Sequence, residues 1–458
     1  YSLNLDLRRL HSAMNRYAIH VIFFFSLTTA QAQYDFTNKR AEKLYFKIEE
    51  LYAAGDYETI LENETKYLET FETKQDTLTA LIYSMLGEAY LFWEGDLNNS
   101  LNFYEKEYKL RKEIGPVEGN DLNDVIYNLG YLKDELGYYA ETEDIYLELL
   151  TLNEEMHGKN SKAYYETAYS LLDHYIYVAD ASKGLKMAQS LKGLVENNSF
   201  EEAMVLKARG DLFEIQGSFR KSEKDLLEAY KILNNSGLYA SIETVGILNS
   251  LAGLYLSIGK VPESEDLYQE ALDILDRLSG DQEEYRIAVK ANLARVYMAL
   301  GNFPQAETIF REALEIDKEY YGENSFIYGL DAYNLALNHL YAGNFKESEK
   351  YHLIAADIFL ANVGPQSLDF ARVLNNLTLL YTKTRELEKA KNYGIKAIEA
   401  FKASVGDDHP QTSFANYNLG DAYFTDRNIS EAEKYHTAAL EIRQKSLGEN
   451  HPVYAKST

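Results

Sequence analysis

The chain of 458 residues contains no cysteine, only six prolines and a single tryptophan. Absence of cysteine excludes disulfides, thiolate nucleophiles and cysteine-based zinc sites together, and it leaves an oxidising compartment open without any folding constraint. Basic residues are also scarce, with 46 Lys and Arg against 72 Asp and Glu, a formal charge of −26. Such a molecule repels phosphate backbones and acidic membrane surfaces over most of its surface, which excludes nucleic acid as a first partner. No apolar run reaches the ~20 residues of a membrane-spanning helix. No segment alternates with period two over a strand length, so no sheet is expected. Motifs of catalysis are missing as well: there is no His-Glu-x-x-His, no Gly-x-x-x-x-Gly-Lys-Ser/Thr and no Gly-x-Gly-x-x-Gly.

The first 33 residues differ in kind from the rest. Met14-Asn15-Arg16 gives a short positive start, Ala18 to Leu27 is nearly unbroken apolar sequence, and Ala30-Gln31-Ala32 supplies small residues two apart. That is the three-part plan of a secretory signal peptide over residues 14–32, with cleavage after Ala32. Residues 1–13 read as an upstream extension. No cysteine follows the cleavage site to carry a lipid, so the expected product, 33–458, is exported to the periplasm or medium.

From residue 34 onward the chain repeats. Ser250-Leu251-Ala252, Asn292-Leu293-Ala294, Asn334-Leu335-Ala336, Asn376-Leu377-Thr378 and Asn418-Leu419-Gly420 stand 42 residues apart each time. Going back, the frame lands on Ala208, Ser170, Asn128, Met85 and Phe46 at spacings of 42, 38, 42, 43 and 39, which makes ten copies. Five residues after the anchor comes an aromatic in seven copies, Tyr297 and Tyr381 among them. Nine after it comes Gly137, Gly217, Gly259, Gly301 or Gly343, the residue that ends a helix in the left-handed conformation. At fourteen the side chain is small (Ser222, Ser264, Ala306, Ser348, Ala390, Ala432). At twenty-one it is alanine (Ala229, Ala271, Ala313, Ala355, Ala397, Ala439). Small positions seven apart let a second helix lie close against the first. Pro262, Pro304, Pro410 and Pro452 fall in first turns, where a missing N–H costs nothing, and Asp281 with Glu284 forms a capping box.

This pattern resembles the tetratricopeptide repeat, and the 42-residue period with Gly-x-x-His-Pro loops is similar to the kinesin-light-chain variety. The resemblance implies an all-α superhelical solenoid of about ten helix hairpins in which the first helix of each copy lines a concave groove. Arg385 and Arg427 depart from it by replacing the turn glycine, and the copy from Ser170 to Ala208 is four residues short of the 42-residue period. The chain ends where an eleventh copy would begin. Exported arrays of this subtype also resemble the N-terminal halves of bacterial CHAT-domain proteins, whose protease-like domain requires a Cys and a His; such catalysis would lie outside a chain without Cys.

The binding expectation rests on one position. Asn292, Asn334, Asn376 and Asn418 place a carboxamide at the same mid-helix point of four successive copies, although Asn is an indifferent helix former. The resemblance extends to the asparagine ladder of O-linked N-acetylglucosamine transferases and of kinesin light chain, which holds peptide backbone. The alternative is that each amide bonds a neighbouring helix and stiffens the stack. Adjacent groove positions add Arg295, Tyr333, Leu337, Tyr341, Arg372, Lys383, Phe414, Tyr417 and Phe424, an aromatic surface with a cationic fringe suited to an extended, acceptor-rich peptide. Copies at 128, 170 and 208 instead present Asp124, Asp134, Glu135, Glu166, Asp173, Asp211 and Glu214 against Lys207, an acidic groove. The histidines fall at repeat or loop positions, so no metal, cofactor or enzymatic activity is expected. The expected function is a non-enzymatic scaffold for a protein or peptide ligand; the alternative is the regulatory half of a larger, CHAT-type protease.

Overall fold

The structure is a computed structural model that describes residues 39–447, except 95, 116–121 and 281, together with 454. The expected signal peptide over residues 14–32, Asp281 and the expected His451-Pro452 loop lie outside the described residues. Those described are 82% helical and contain no strand. They fall into two compact units, one through Thr167 and one from Ala168 onward.

In the first unit, α1 (Lys39–Ala53) is followed by two short helices, α2 (Tyr57–Glu62) and α3 (Glu64–Phe71), which break at Asn63. The expected second helix of the first copy is thus split. Its anchor also lies out of frame: Phe46 is 41% exposed and Tyr45 takes the buried place. Next come α4 (Thr77–Ala89), which ends in a π turn over Tyr90–Glu94, then α5 (Leu97–Ile114), α6 (Asn123–Glu135) and α7 (Tyr139–His157). The helix α8 (Lys162–Tyr177) spans the boundary between units.

Beyond it the hairpins follow the repeat. They are α9 (Ala181–Lys192), α10 (Phe200–Ile215) with α11 (Phe219–Asn235), α12 (Ile242–Ser257) with α13 (Val261–Leu275), and α14 (Glu283–Ala299) with α15 (Phe303–Tyr321). The array continues with α16 (Phe326–Ala342) and α17 (Phe345–Asn362), α18 (Leu368–Thr384) and α19 (Leu387–Val405), and α20 (Pro410–Thr425) and α21 (Ile429–Leu447). Ser199, Ser241, Ser325 and Ser367 start four of the first helices by accepting an N–H of the first turn.

Each hairpin closes as its residue sizes dictate. All six alanines at offset twenty-one and all six small residues at fourteen are buried, and Ser264 Oγ and Ser348 Oγ donate to the Ala252 and Ala336 carbonyls of the facing helix at 2.7 and 3.0 Å. The small position is therefore also a pin between helices. Turn glycines Gly217, Gly259, Gly301 and Gly343 hold φ between 76 and 81°. Arg385 and Arg427 hold the same left-handed conformation, with φ of 64 and 63°, so the departures from glycine leave the turn intact.

Candidate functional site

First helices stack on one another between copies, α12 on α14, α14 on α16, α16 on α18 and α18 on α20, which sets the four anchor asparagines in a row. Three of them bond backwards by the same rule. Asn292 donates Nδ2–H to Asn249 Oδ1 at 2.8 Å, Asn376 to the Tyr333 hydroxyl at 2.8 Å and Asn418 to Asn375 Oδ1 at 2.9 Å. Every acceptor sits one residue before the preceding anchor, 43 positions back. At Asn334 the corresponding residue is Ala291, which has no side-chain acceptor. One donor of each bonded amide is thus spent between repeats; a primary amide has a second N–H and a carbonyl oxygen besides.

Asn334, Asn376 and Asn418 border a cavity of about 790 Å³ lined from α12 through α21. It gathers every residue the sequence assigned to the groove except Asn292, Lys383 and Phe424. Asn292 is buried, also accepting from Arg295 at 3.4 Å; Lys383 is exposed in the last turn of α18; and Phe424 is 62% exposed near the end of α20.

The lining carries Arg295, Arg372 and Arg443 and no Asp or Glu. Arg372 is buried against Asp369, N–H to Oδ1 at 3.2 Å. Arg443 comes from α21, the second helix of its copy, and escaped a reading confined to first-helix positions. Its Nε–H donates to Ser413 Oγ at 3.1 Å, and its guanidinium lies 5.0 Å from the ring centres of both Phe414 and Tyr417. Two rings of the predicted surface are therefore held by a cation that lines the same cavity. Burial pushes the Tyr333 phenol up to about 12, with Arg372 opposing.

Of the carboxylates expected to line the groove of the earlier copies, Asp211 and Glu214 have partners in the second unit. Asp211 is buried and ion-pairs with Lys207 at 3.0 Å, and Glu214 accepts from Ser257 Oγ at 2.7 Å while burial pushes its carboxyl up to about 7. Ser257, the partner of Glu214, belongs to the cavity lining. Among the described residues no group of His, Asp and Glu could hold a metal ion. His352 is buried with Nδ1 2.9 Å from the Ser348 carbonyl, and burial lowers it to about 4. No described helix is long and apolar enough to cross a membrane.

Antiparallel helix pairs at a constant period, stacked through their first helices, define an α-α solenoid. Over residues 243–445 its units are tetratricopeptide repeats: that family matches residues 243–319, 285–361, 329–403 and 369–445. No curated protein matches the sequence. Among solved structures the chain is similar to BtubC (BKLC) from P. vanneervenii, 22% identical over 58% of this chain and 90% of that one, with a TM-score of 0.38. It is also similar to a Rap protein complexed with Competence and Sporulation Factor, 18% identical over 73% and 95% of the two chains, TM-score 0.46. A third is a putative kinesin light chain of Podosopora anserina with nearly identical TPR-like repeats, 18% identical over 43% and 94%, TM-score 0.36.

Proposed function

We propose that the protein is an exported, non-enzymatic scaffold that holds an extended peptide, or an extended segment of a protein, in the cavity between α12 and α21. The observation that carries this reading is the lining: three arginines and no carboxylate, in a chain of net charge −26, beside a row of carboxamides and the rings of Tyr333, Phe414 and Tyr417. A peptide backbone presents carbonyls and N–H groups at regular intervals, which suits amides repeated once per copy. The arginines add attraction for acidic side chains, and the rings supply apolar contact at low entropic cost.

Selection of a displayed random peptide library on the purified protein tests the reading. Enriched sequences should be acidic, and their affinity should fall as salt rises from 50 to 500 mM, about the range over which the Debye length shrinks from ~13 to ~4 Å. Exchange of Arg372 for Gln should abolish the enrichment. Peptides that bind equally well to that variant and at high salt would count against the cavity as the site. Export has its own test: expression from Met14 should yield product outside the cytoplasm beginning at Gln33, and recovery only of cytoplasmic protein with an intact leader would refute it.

A further inference from the structure

Repeats of this kind touch mainly their sequence neighbours, so the curvature of a solenoid is the sum of many small rotations and is a soft coordinate. The unit from Ala168 onward has a contact that cuts across this rule. His409, the residue before α20, sets its Nε2 2.6 Å from the carbonyl oxygen of Val178, across 231 positions of chain. Val178 lies in the turn between α8 and α9. The N–H groups of that turn, from Val178, Ala179 and Asp180, bond back to His174, Ile176 and Tyr175. The turn thus holds its own shape, and Ala179 keeps the left-handed φ of 59° that glycine supplies in other copies.

The imidazole is committed at both edges. Nδ1 accepts the Gln411 N–H at 3.2 Å, which caps α20, while Nε2 faces the Val178 carbonyl. Only the neutral tautomer with its hydrogen on Nε2 satisfies both. Burial keeps the ring neutral, lowering it to about 4, with the Val178 bond opposing, Arg372 adding and Asp180 opposing again. Asp407 and Asp408 beside it pair with Lys402 and Lys445.

The placement gives this contact leverage. The α20 helix that His409 caps carries Gln411, Phe414, Tyr417 and Asn418 into the cavity, while Leu256 and Ser257 of α12 line it from four copies earlier. We propose that the bond between His409 and Val178 is a clasp that pins the repeats from Ala168 onward at one curvature and thereby sets the width of the cavity. The proposal concerns the empty protein and stands whether or not a peptide is the guest.

The absence of cysteine makes a direct test available. Spin labels at the exposed positions of S182C and A403C, introduced together, report the separation of α9 and α19. The otherwise unchanged protein should give one narrow distance distribution. His409→Asn keeps a good N-cap for α20 but cannot reach Val178, and it should broaden the distribution and lengthen its mean. In a second measurement, a single cysteine at Leu379→Cys in the cavity wall reacts with a polyethylene-glycol maleimide. The rate should rise about tenfold in the His409→Asn background, the factor expected when one hydrogen bond holding a closed state is lost. A broad distribution before His409 is changed overturns the clasp outright, whatever the fate of the variant. An unchanged distribution and labelling rate in a folded His409→Asn protein overturns it equally.

Discussion

Asn376 donates to the hydroxyl of Tyr333 at 2.8 Å, so a carboxamide of one repeat and an aromatic ring of the repeat before it behave as a single polar unit in the cavity wall. Stiffening of the stack and presentation of a binding surface are here two uses of one side chain. Asn376→Ala and Tyr333→Phe should each lower stability by about 1 kcal/mol. Because they delete the same bond, the double variant should cost clearly less than the sum, with a coupling of about 0.5–1 kcal/mol in urea titrations. Strict additivity would show that the bond contributes nothing.

Glu88 and Glu107 offer a pH prediction for the first unit. Both are buried; Glu88 accepts the Tyr52 hydroxyl at 2.5 Å, and Glu107 accepts from Arg111 at 2.8 Å. Burial pushes each carboxyl up to about 7, with the Tyr52 bond opposing and Glu107 adding at Glu88, and with Arg111 opposing and Asp124 adding at Glu107. A folded pKa above the unfolded value means that the folded state binds more protons between the two. The stability these groups contribute is therefore fully present below about pH 4.5 and is lost as pH rises through about 7. Hydrogen exchange in α4 should slow on going from pH 8 to pH 5 after correction for the intrinsic rate. Glu88→Gln, which can still accept from Tyr52, should stabilise the unit by about 2–3 kcal/mol at pH 8 and little at pH 5. Equal effects at both values would contradict the assignment.

Arg385 and Arg427 hold left-handed backbone with β-carbons in place. That conformation costs an L-residue about 1–2 kcal/mol, while glycine gives back part of the gain through a freer unfolded chain. Arg385→Gly should raise stability by about 0.5–1 kcal/mol, read as a higher urea midpoint at unchanged slope. A lower midpoint would mean that the arginine side chain contributes more than its backbone costs.

Residue size along the chain was enough to locate the hairpins. Offsets fourteen and twenty-one demand small residues because two backbones meet there, and glycine at nine marks a left-handed turn, so both leave a trace in every copy that needs them. The partners of the asparagines left no comparable trace. Asn249 and Asn375 offer an amide oxygen where Tyr333 offers a phenol and Ala291 offers nothing, so the position shows no constant residue type, and the stacking of adjacent repeats makes three of them acceptors for the next copy. Arg443 was hidden for another reason: its long side chain reaches round from a second helix to Ser413, Phe414 and Tyr417. The first copy misled because Phe46 matches the frame by spacing while Tyr45 matches it by burial.

The cavity has one more consequence, for how such a protein can change. An open solenoid can gain or lose a unit and merely become longer or shorter. Here the walls come from copies as far apart as Leu256 and Arg443, and they face each other only because a fixed number of 42-residue modules lies between them. Duplicating or deleting one module inside that interval would swing one wall away from the other by a whole step of the superhelix. The count of modules between α12 and α21 is in this sense a dimension of the site itself. Specificity can drift by exchange of lining residues, whereas a change of copy number is tolerated only outside that interval.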